Sequence, residues 1–489
     1  MLLSEIFKRV DYENKCKLRK VSSELLLQFQ QLPSEYIMSN YDTKLLKMLS
    51  FIAHNQWRAN QRTDEWLELR KNIIGASEFA AFLGQNPNKS LNALAYDKVM
   101  GSTFTGSFET RWGVLFEPIM ERFTAELFDT VIYESGSIPG IRSHTTGKIL
   151  QGASPDGLAV VPKSKLIEMV NNNIILNEGV NLESEEDFII LFEFKVPAIR
   201  KPKGEIPKHY LPQVLSGINT CHTDIGIFGD CLIRMTTIED FDWTTQFNGA
   251  RNDPYRRGMS VDKVSGMGFV IFSQENIMPE FLPEIETGQI DMDIFQKYRY
   301  DNCAPLSQTL TYFNLQNNIE FINVYNYFNN EAETFKLFNI SEYNIDHKYI
   351  EEVFEKFDKK ELKVNYSEIL YYNSDIDTKL WLRKNINIVV KECLLQNRRP
   401  TIILPYKIFD VKYNMVNKDK DYVEKSRESL EDFMNKIKTI REFEGTIEER
   451  KIMVNNMFPI KEKQTRPRRI VPKDNIHDLD NDEMNAIFG

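Results

Sequence analysis

At 489 residues the chain is long enough to bury a sizeable core and to hold more than one domain. It is 42% hydrophobic, 12% aromatic and 27% charged, so most of it is expected to fold, and its net charge of −10 argues against a non-specific polyanion binder. No apolar run approaches the roughly 18 residues of a membrane span, so no membrane partner is expected.

The N-terminus, MLLSEIFKRVDYENK, becomes charged too early for the apolar core of a signal peptide. Cysteines at 16, 221, 231, 303 and 393 are scattered and odd in number, which reads as free thiols in a reducing, intracellular compartment. The histidines do not fall at zinc-ligand spacings. Residues 1–60 show helical spacing of apolar residues, as in TKLLKMLSFIAHNQW. From about Trp57 to Phe272 helical patterns mix with short β-rich runs, as in an α/β or α+β domain.

In EWLELRKNIIGASEFAAFLG (65–84) one helix is expected to run to about Ile74 and Ser77 to cap a second that stops at Gly84. A capped helix start with Arg70 nearby is a candidate anion site, and an ordinary capped helix pair explains the segment equally well. FETRWGVLFEPIMERFTAELF (108–128) carries an apolar stripe from Trp112 to Leu127, with Glu117 at its edge and Gly113 one turn earlier. One such glutamate is by default a surface ion pair.

Pro155-Asp156-Gly157 is a tight-turn sequence at the end of a strand. The acidic stretch 171–187 reads as a loop between strands. FIILFEFKVP (188–197) is a strand whose alternation puts Ile189, Leu191, Glu193 and Lys195 on one face. A carboxylate and an ammonium on a buried strand are costly unless they pair or serve a ligand. Alone the Glu-x-Lys pattern is weak, since Asp42–Lys44 and Asp377–Lys379 have similar form. Paired across neighbouring strands with Asp156, however, Glu193 would give two hard oxygen donors suited to Mg²⁺. Lys195 would then orient or help deprotonate the water that attacks phosphorus. Glu117 becomes a candidate further ligand beside that set.

Residues 195–209 hold Lys195, Arg200, Lys201, Lys203 and Lys208 against Glu205, a local charge of +4, and Arg251, Arg256 and Arg257 form a second cluster. KHYLPQVLSGINT (208–220) reads as a helix beginning near Leu211 with Pro212 in its first turn; Gln213 and Gly217 share a face, and Tyr210 stands at the entrance. Residues 276–399 look like a separate helical region. TIILPYKIFDVKYNMV (401–416) returns to strand character before a long helix, and 451–489 read as a flexible tail, basic then acidic. Its Ile487-Phe488 end has the form of a docking peptide for a protein partner.

In this order the motifs resemble the lambda-exonuclease-like, or YqaJ-type viral recombinase, branch of PD-(D/E)xK nucleases of phages and large DNA viruses. They are Trp66…Arg70…Ile74-Gly75-Ala76-Ser77-Glu78, Gly113…Glu117, Gly152…Ser154-Pro155-Asp156-Gly157, Glu193-Phe194-Lys195 and Tyr210…Gln213. The resemblance implies a restriction-endonuclease-like core, a central mixed sheet flanked by helices. It implies a nuclease core at 61–275, completed by 400–450, with 276–399 inserted between. It implies a metal-dependent exonuclease acting on double-stranded DNA from a free 5′ end, in viral recombination, repair or replication.

By motif match Glu117, Asp156, Glu193 and the Phe194 carbonyl would bind Mg²⁺, with Mn²⁺ as a substitute. Lys195 would be catalytic, Arg70 and Ser77 would hold DNA phosphate, and Tyr210 and Gln213 would support the site. A single-strand annealing or replication protein would be a fitting partner. A nicking or structure-specific endonuclease, or an inactive DNA-end-binding protein, are the competing readings.

Overall fold

The computed structural model describes residues 44–57, 64–101, 106–198, 200–244, 264–275, 341–342, 347–373, 375–395 and 398–460. The expectations for 1–43, the 251–257 arginines, most of 276–346 and the tail from 461 onward lie outside the described residues.

The centre is one mixed sheet of nine strands. Its main path runs β10 (Lys363–Tyr366), β8 (Gly266–Glu275), β12 (Arg398–Asn417), β7 (Ile225–Met235), β6 (Asp187–Lys195) and β4 (Gly157–Pro162). Of these neighbours only β6 and β7 are parallel. The 20-residue β12 is the spine: it pairs with β8 along its first half and β7 along its second, and its register shifts between Pro400 and Ile402 and again between Ile408 and Asp410. Such bulges bend a long strand and let the sheet curl. Three short strands, β5 (Ile175–Leu176), β9 (Ser341–Glu342) and β11 (Leu370–Tyr371), fill the remaining edges. A separate small sheet joins β1 (Ile74–Gly75), β3 (Gln151–Ala153) and β2 (Ile138–Pro139).

The alternation of β6 decides the layers. Phe188, Ile190, Phe192 and Phe194 enter the larger core with Trp112, Phe116 and Met120 of the helix Phe108–Leu127. Leu191 enters the opposite core with Val214 and Ile218 of the helix Leu211–Thr220, and with Leu46, Leu49 and Ile52 of the helix Lys44–Asn55. The face that holds Ile189 and Leu191 therefore continues into Glu193 and Lys195, as the alternation requires. In chain order the helices are α1 (Lys44–Asn55), α2 (Asp64–Lys71), α3 (Phe79–Phe82), α4 (Leu91–Met100), α5 (Phe108–Leu127), α6 (Lys163–Asn171) and α7 (Leu211–Thr220), then α8 (His347–Asp358), α9 (Thr378–Leu395), α10 (Arg427–Glu442) and α11 (Ile447–Met457). A third core joins α3, α4, α10 and α11 through Phe79, Leu94, Phe433 and Val454.

Three expectations need correction. The 276–399 stretch is not purely helical: β10 and β11 extend the central sheet through β8, while α8 packs on α5 with Phe354 stacked on Phe108. Strands of two to four residues are too short to show a period and gain their stability from the neighbour they join. The tail does not begin at 451, because α11 runs to Met457, opened by Thr446 and Glu449 in a capping box. The acidic 171–187 stretch is not all loop, since β5 pairs with Tyr413 and Asn414 of β12.

Candidate active site

β4 and β6 are antiparallel neighbours with Gly157 opposite Phe192, so the residue before β4, Asp156, meets the end of β6 where Glu193 and Lys195 stand. Asp156 Oδ2 accepts a 2.6 Å hydrogen bond from the Phe194 backbone N–H, which fixes the turn to the strand. The Lys195 ammonium donates to Glu193 Oε1 and, at 2.9 Å, to the Phe194 carbonyl, and lies 4.0 Å from Asp156 Oδ2. Gln213, on the first turn of α7, donates from Nε2 to the same Glu193 oxygen. Tyr210 precedes that helix; its ring lies 5.4 Å below the Lys195 ammonium and stacks on Phe228.

Glu117 comes from α5, on the other layer, close enough to feel the charges of Asp156, Lys195 and Glu193. A Cβ at Gly113, one turn earlier, would meet nothing within 4 Å, so that side of the site is open.

Burial, then the charge of Asp156, pushes the Glu193 carboxyl up to about 7. Burial likewise raises Asp156, and burial with the charge of Asp156 raises Glu117 well above the usual carboxylate range. For Lys195 burial acts downward, but Glu193 and Asp156 outweigh it and hold the lysine firmly as an ammonium. Three carboxyls thus face one ammonium, and burial with mutual repulsion favours their neutral forms; a divalent ion would let them ionise together. The donors are hard oxygens, the kind Mg²⁺ takes. Among the described residues no three such side chains are already gathered in an ion's shell. Lys195 instead occupies Glu193 and the Phe194 carbonyl, two of the four expected ligands.

A second cluster lies beside the first. Arg70, at the end of α2, stacks 5.0 Å over Trp66, donates to Ser77 Oγ at 3.3 Å and pairs with Glu78 at 3.2 Å. The Ser77 cap is a correction: Gly75 stands at the cap position, and Glu78 reaches back to its N–H at 2.9 Å. Ser77 lies inside the short 3₁₀ turn, and α3 is only four residues long. Ser77 is therefore a hydroxyl partner of Arg70 rather than the mouth of a helix. Glu78 also takes the buried Lys98 ammonium of α4 at 2.8 Å. Burial works against its charge, but Lys98 and Arg70 prevail and lower it to about 2.

A cleft of about 40 Å³ beside Arg70 is lined by Trp66, Ser77, Ser137, Ser154 and Gln213, the last of which contacts Glu193 of the other cluster. Ser137 Oγ bridges the Trp66 indole N–H (2.9 Å) and Ser154 Oγ (2.7 Å). Every residue expected from the motifs is thus found in one of two adjoining clusters. The roles of Glu78, Lys98 and Ser137 escape sequence reasoning: Glu78 stands in the motif only as a residue three after Gly75, and Lys98 sits in a helix of ordinary composition.

The stretch that builds these clusters also matches a known family model. Residues 65–223 match the YqaJ-like viral recombinase domain family. The chain is similar to a curated protein of African swine fever virus: 29% identical over 210 residues to that of a South African tick isolate, and 29% over 205 residues to that of a Malawian one. Each match covers 41% of this chain and 58% of the relative, so the chain spans little more than half the length of the curated relatives it matches. Two solved structures are similar in part. An alkaline exonuclease (LHK-Exo) from Laribacter hongkongensis is 17% identical with a TM-score of 0.24, over 35% of this chain and 74% of that one. LHK-Exo in complex with dAMP is 18% identical with a TM-score of 0.23, over 34% and 73%. The matched stretch is the one that carries the ordered motifs and both clusters.

Proposed function

We propose that the chain is a Mg²⁺-dependent deoxyribonuclease of the lambda-exonuclease type. It would hydrolyse one strand of duplex DNA from a free 5′ end, in recombination, repair or replication of viral DNA. The observation that carries the reading is the pair of adjoining clusters of opposite need. One has two cations for one carboxylate, and the other three carboxylates for one cation. A phosphodiester beside a divalent ion presents the complement to both.

In this reading Glu117, Asp156, Glu193 and the Phe194 carbonyl hold the ion. Bound there, it would supply charge neutralisation and acidify an attacking water. Gln213 orients Glu193, and Tyr210 supports the ammonium of Lys195 through its ring face. Held as an ammonium, Lys195 can orient the attacking water by donating to it and can offset charge that develops on phosphate oxygens. To accept a proton it must first lose its own, which the neighbouring carboxylates oppose. Arg70 and Ser77 receive the terminal phosphate, and a reducing cellular setting suits the three described cysteines, all unbridged.

The test is a time course on end-labelled linear duplex and closed circular DNA, with Mg²⁺ and with chelator. Metal-dependent loss of the linear DNA from its 5′ ends is expected, with the circle untouched. Cleavage of the circle at equal rate would make the protein an endonuclease with the same site, and no metal-dependent cleavage of either would remove the enzyme reading.

A further inference from the structure

The polar face of the central sheet does not end at Lys195. In the parallel β6–β7 register Lys195 lies opposite Asp230, and Asp230 in turn lies opposite Lys412 of β12. Asp230 is 2% exposed. A carboxylate that deep is costly unless paired, and its partner comes from outside the sheet. Both terminal nitrogens of Arg200 donate to it, Nη2 to Oδ1 at 2.8 Å and Nη1 to Oδ2. Arg200 belongs to the connection between β6 and α7. Two further bonds tie that connection to the same strands: Arg234 Nη1 donates to the Pro197 carbonyl at 3.3 Å, and Asn414 Nδ2 to the Gly204 carbonyl at 2.7 Å. The connection is therefore strapped over β7 and β12, immediately beside the catalytic lysine. On its outer side Lys203 and Lys208 are exposed. It ends at His209 and Tyr210, rings 4.2 Å apart, the second of which carries the Lys195 ammonium on its face.

We propose that the Arg200–Asp230 pair is a positioning clasp, fixing this basic connection so that Lys203 and Lys208 grip DNA backbone phosphates beyond the scissile one. The proposal rests on the nuclease reading. A bidentate arginine–carboxylate pair is the rigid, directional choice for such an anchor. A lysine-bearing segment already held in place gives up less freedom when DNA binds, so anchoring it improves affinity without touching the substrate. The charges that meet phosphate and the charges that hold the segment are then different residues, and their effects can be separated.

The experiment compares Asp230→Asn, Arg200→Lys and Lys203→Ala/Lys208→Ala in the full chain. It reads KM and kcat on linear duplex, and DNA affinity in chelator as salt is varied. Each clasp variant is expected to raise KM about tenfold while kcat stays within about threefold, a split that general loss of fold would not produce. The double lysine variant should do the same and flatten the slope of log affinity against log salt by about two. Adding Asp230→Asn to it should cost little more.

Unchanged KM and affinity in both clasp variants would overturn the proposal. So would a fall in kcat at constant KM, which would tie Asp230 to Lys195 alone, and so would full additivity with the lysines. Should Asp230→Asn unfold, Arg200→Lys decides, since it keeps the charge and only loses the fork at a side chain one quarter exposed. Failure of the nuclease reading shows separately, as a wild-type chain without metal-dependent cleavage, while the affinity measurements still read the clasp.

Discussion

Replacing Gly75 by alanine tests the phosphate-reading role of Arg70 without touching Arg70. The backbone at Gly75 has φ −73° and ψ 156°, extended values open to any residue, so the substitution brings no strain of its own. A Cβ there would sit 2.7 Å from Nη2 and 2.9 Å from Cζ of Arg70. Something must move, and the end of a flexible side chain yields before a strand does. Its displacement breaks the 3.3 Å bond to Ser77, the 3.2 Å pair with Glu78 and the stack over Trp66. Loss of one charge-assisted contact to a terminal phosphate is worth about 1.5–3 kcal/mol, about ten- to a hundredfold in rate. Initial rates on 5′-phosphorylated and 5′-hydroxyl duplexes are the assay, with Arg70→Ala in parallel and Tm as the fold control. Both variants should lose most of the preference for the phosphorylated end, with Tm of Gly75→Ala within about 3 °C of wild type. A folded Gly75→Ala protein that keeps the full preference while Arg70→Ala loses it would refute the placement of the guanidinium. Equal slowing on both ends would show that Arg70 grips the backbone generally.

Asp156→Ala and Lys195→Ala should each cut cleavage at least about a thousandfold while DNA binding in chelator persists, because affinity comes from phosphate contacts and not from these groups; wild-type cleavage by Lys195→Ala would sink the assignment. Mg²⁺ should raise the Tm of wild type, by the equivalent of about 2.7 kcal/mol at a hundredfold excess over Kd. An Asp156→Asn/Glu193→Gln protein should be more stable than wild type in chelator and show no such response, and an equal Mg²⁺ response in both would place the ion elsewhere. For Glu78 the folded carboxyl titrates near 2 and the unfolded one near 4.5, so its stabilisation is present above pH 4.5 and lost as pH falls toward 2. The difference in unfolding free energy between wild type and Glu78→Gln should be about 3 kcal/mol at neutral pH and shrink through that window; a difference independent of pH would show that hydrogen bonding, not charge, holds the cluster.

The sequence made some of this legible and not the rest, for physical reasons that differ by residue. Asp156, Glu193 and Lys195 could be read because strand alternation is a local rule, and two carboxylates and a lysine on neighbouring strands are chemically expensive wherever they fall. Gln213 and Tyr210 followed from Pro212 in the first turn of α7. Ser77 misleads because a serine ahead of FAAF looks like a cap. In the fold the glycine two residues before it takes that place, and Glu78 supplies the missing acceptor. Lys98 and Asp230 are invisible for a different cause: each is an ordinary residue in its own element, and its partner stands 20 or 30 residues away in the chain. The strands β10 and β11 escape notice because β8, far earlier in the sequence, completes them.

The two charge clusters also differ in the ligand each would favour. Each sets a buried group among partly buried ones, Lys98 in the first and Glu193 in the second, and desolvation disfavours charge in both. At Glu78 two cations serve one carboxylate, so the balance tips toward ionisation and the carboxyl falls to about 2. At Glu193 three carboxylates serve one ammonium, so burial and repulsion prevail and the carboxyl rises to about 7. A cluster kept only for stability would be expected to settle its own charge, since an uncompensated buried ion is among the costliest features a fold can carry. With every group ionised, the first cluster would carry one positive charge and the second two negative ones, an excess that protons on the raised carboxyls relieve when no cation is bound. Gln213 lines the cleft beside Arg70 and contacts Glu193, so the two clusters are neighbours. A ligand that relieves both at once must bring an anion to Arg70 and a divalent cation to Asp156 and Glu193, which is what a DNA phosphate and its metal ion would bring together.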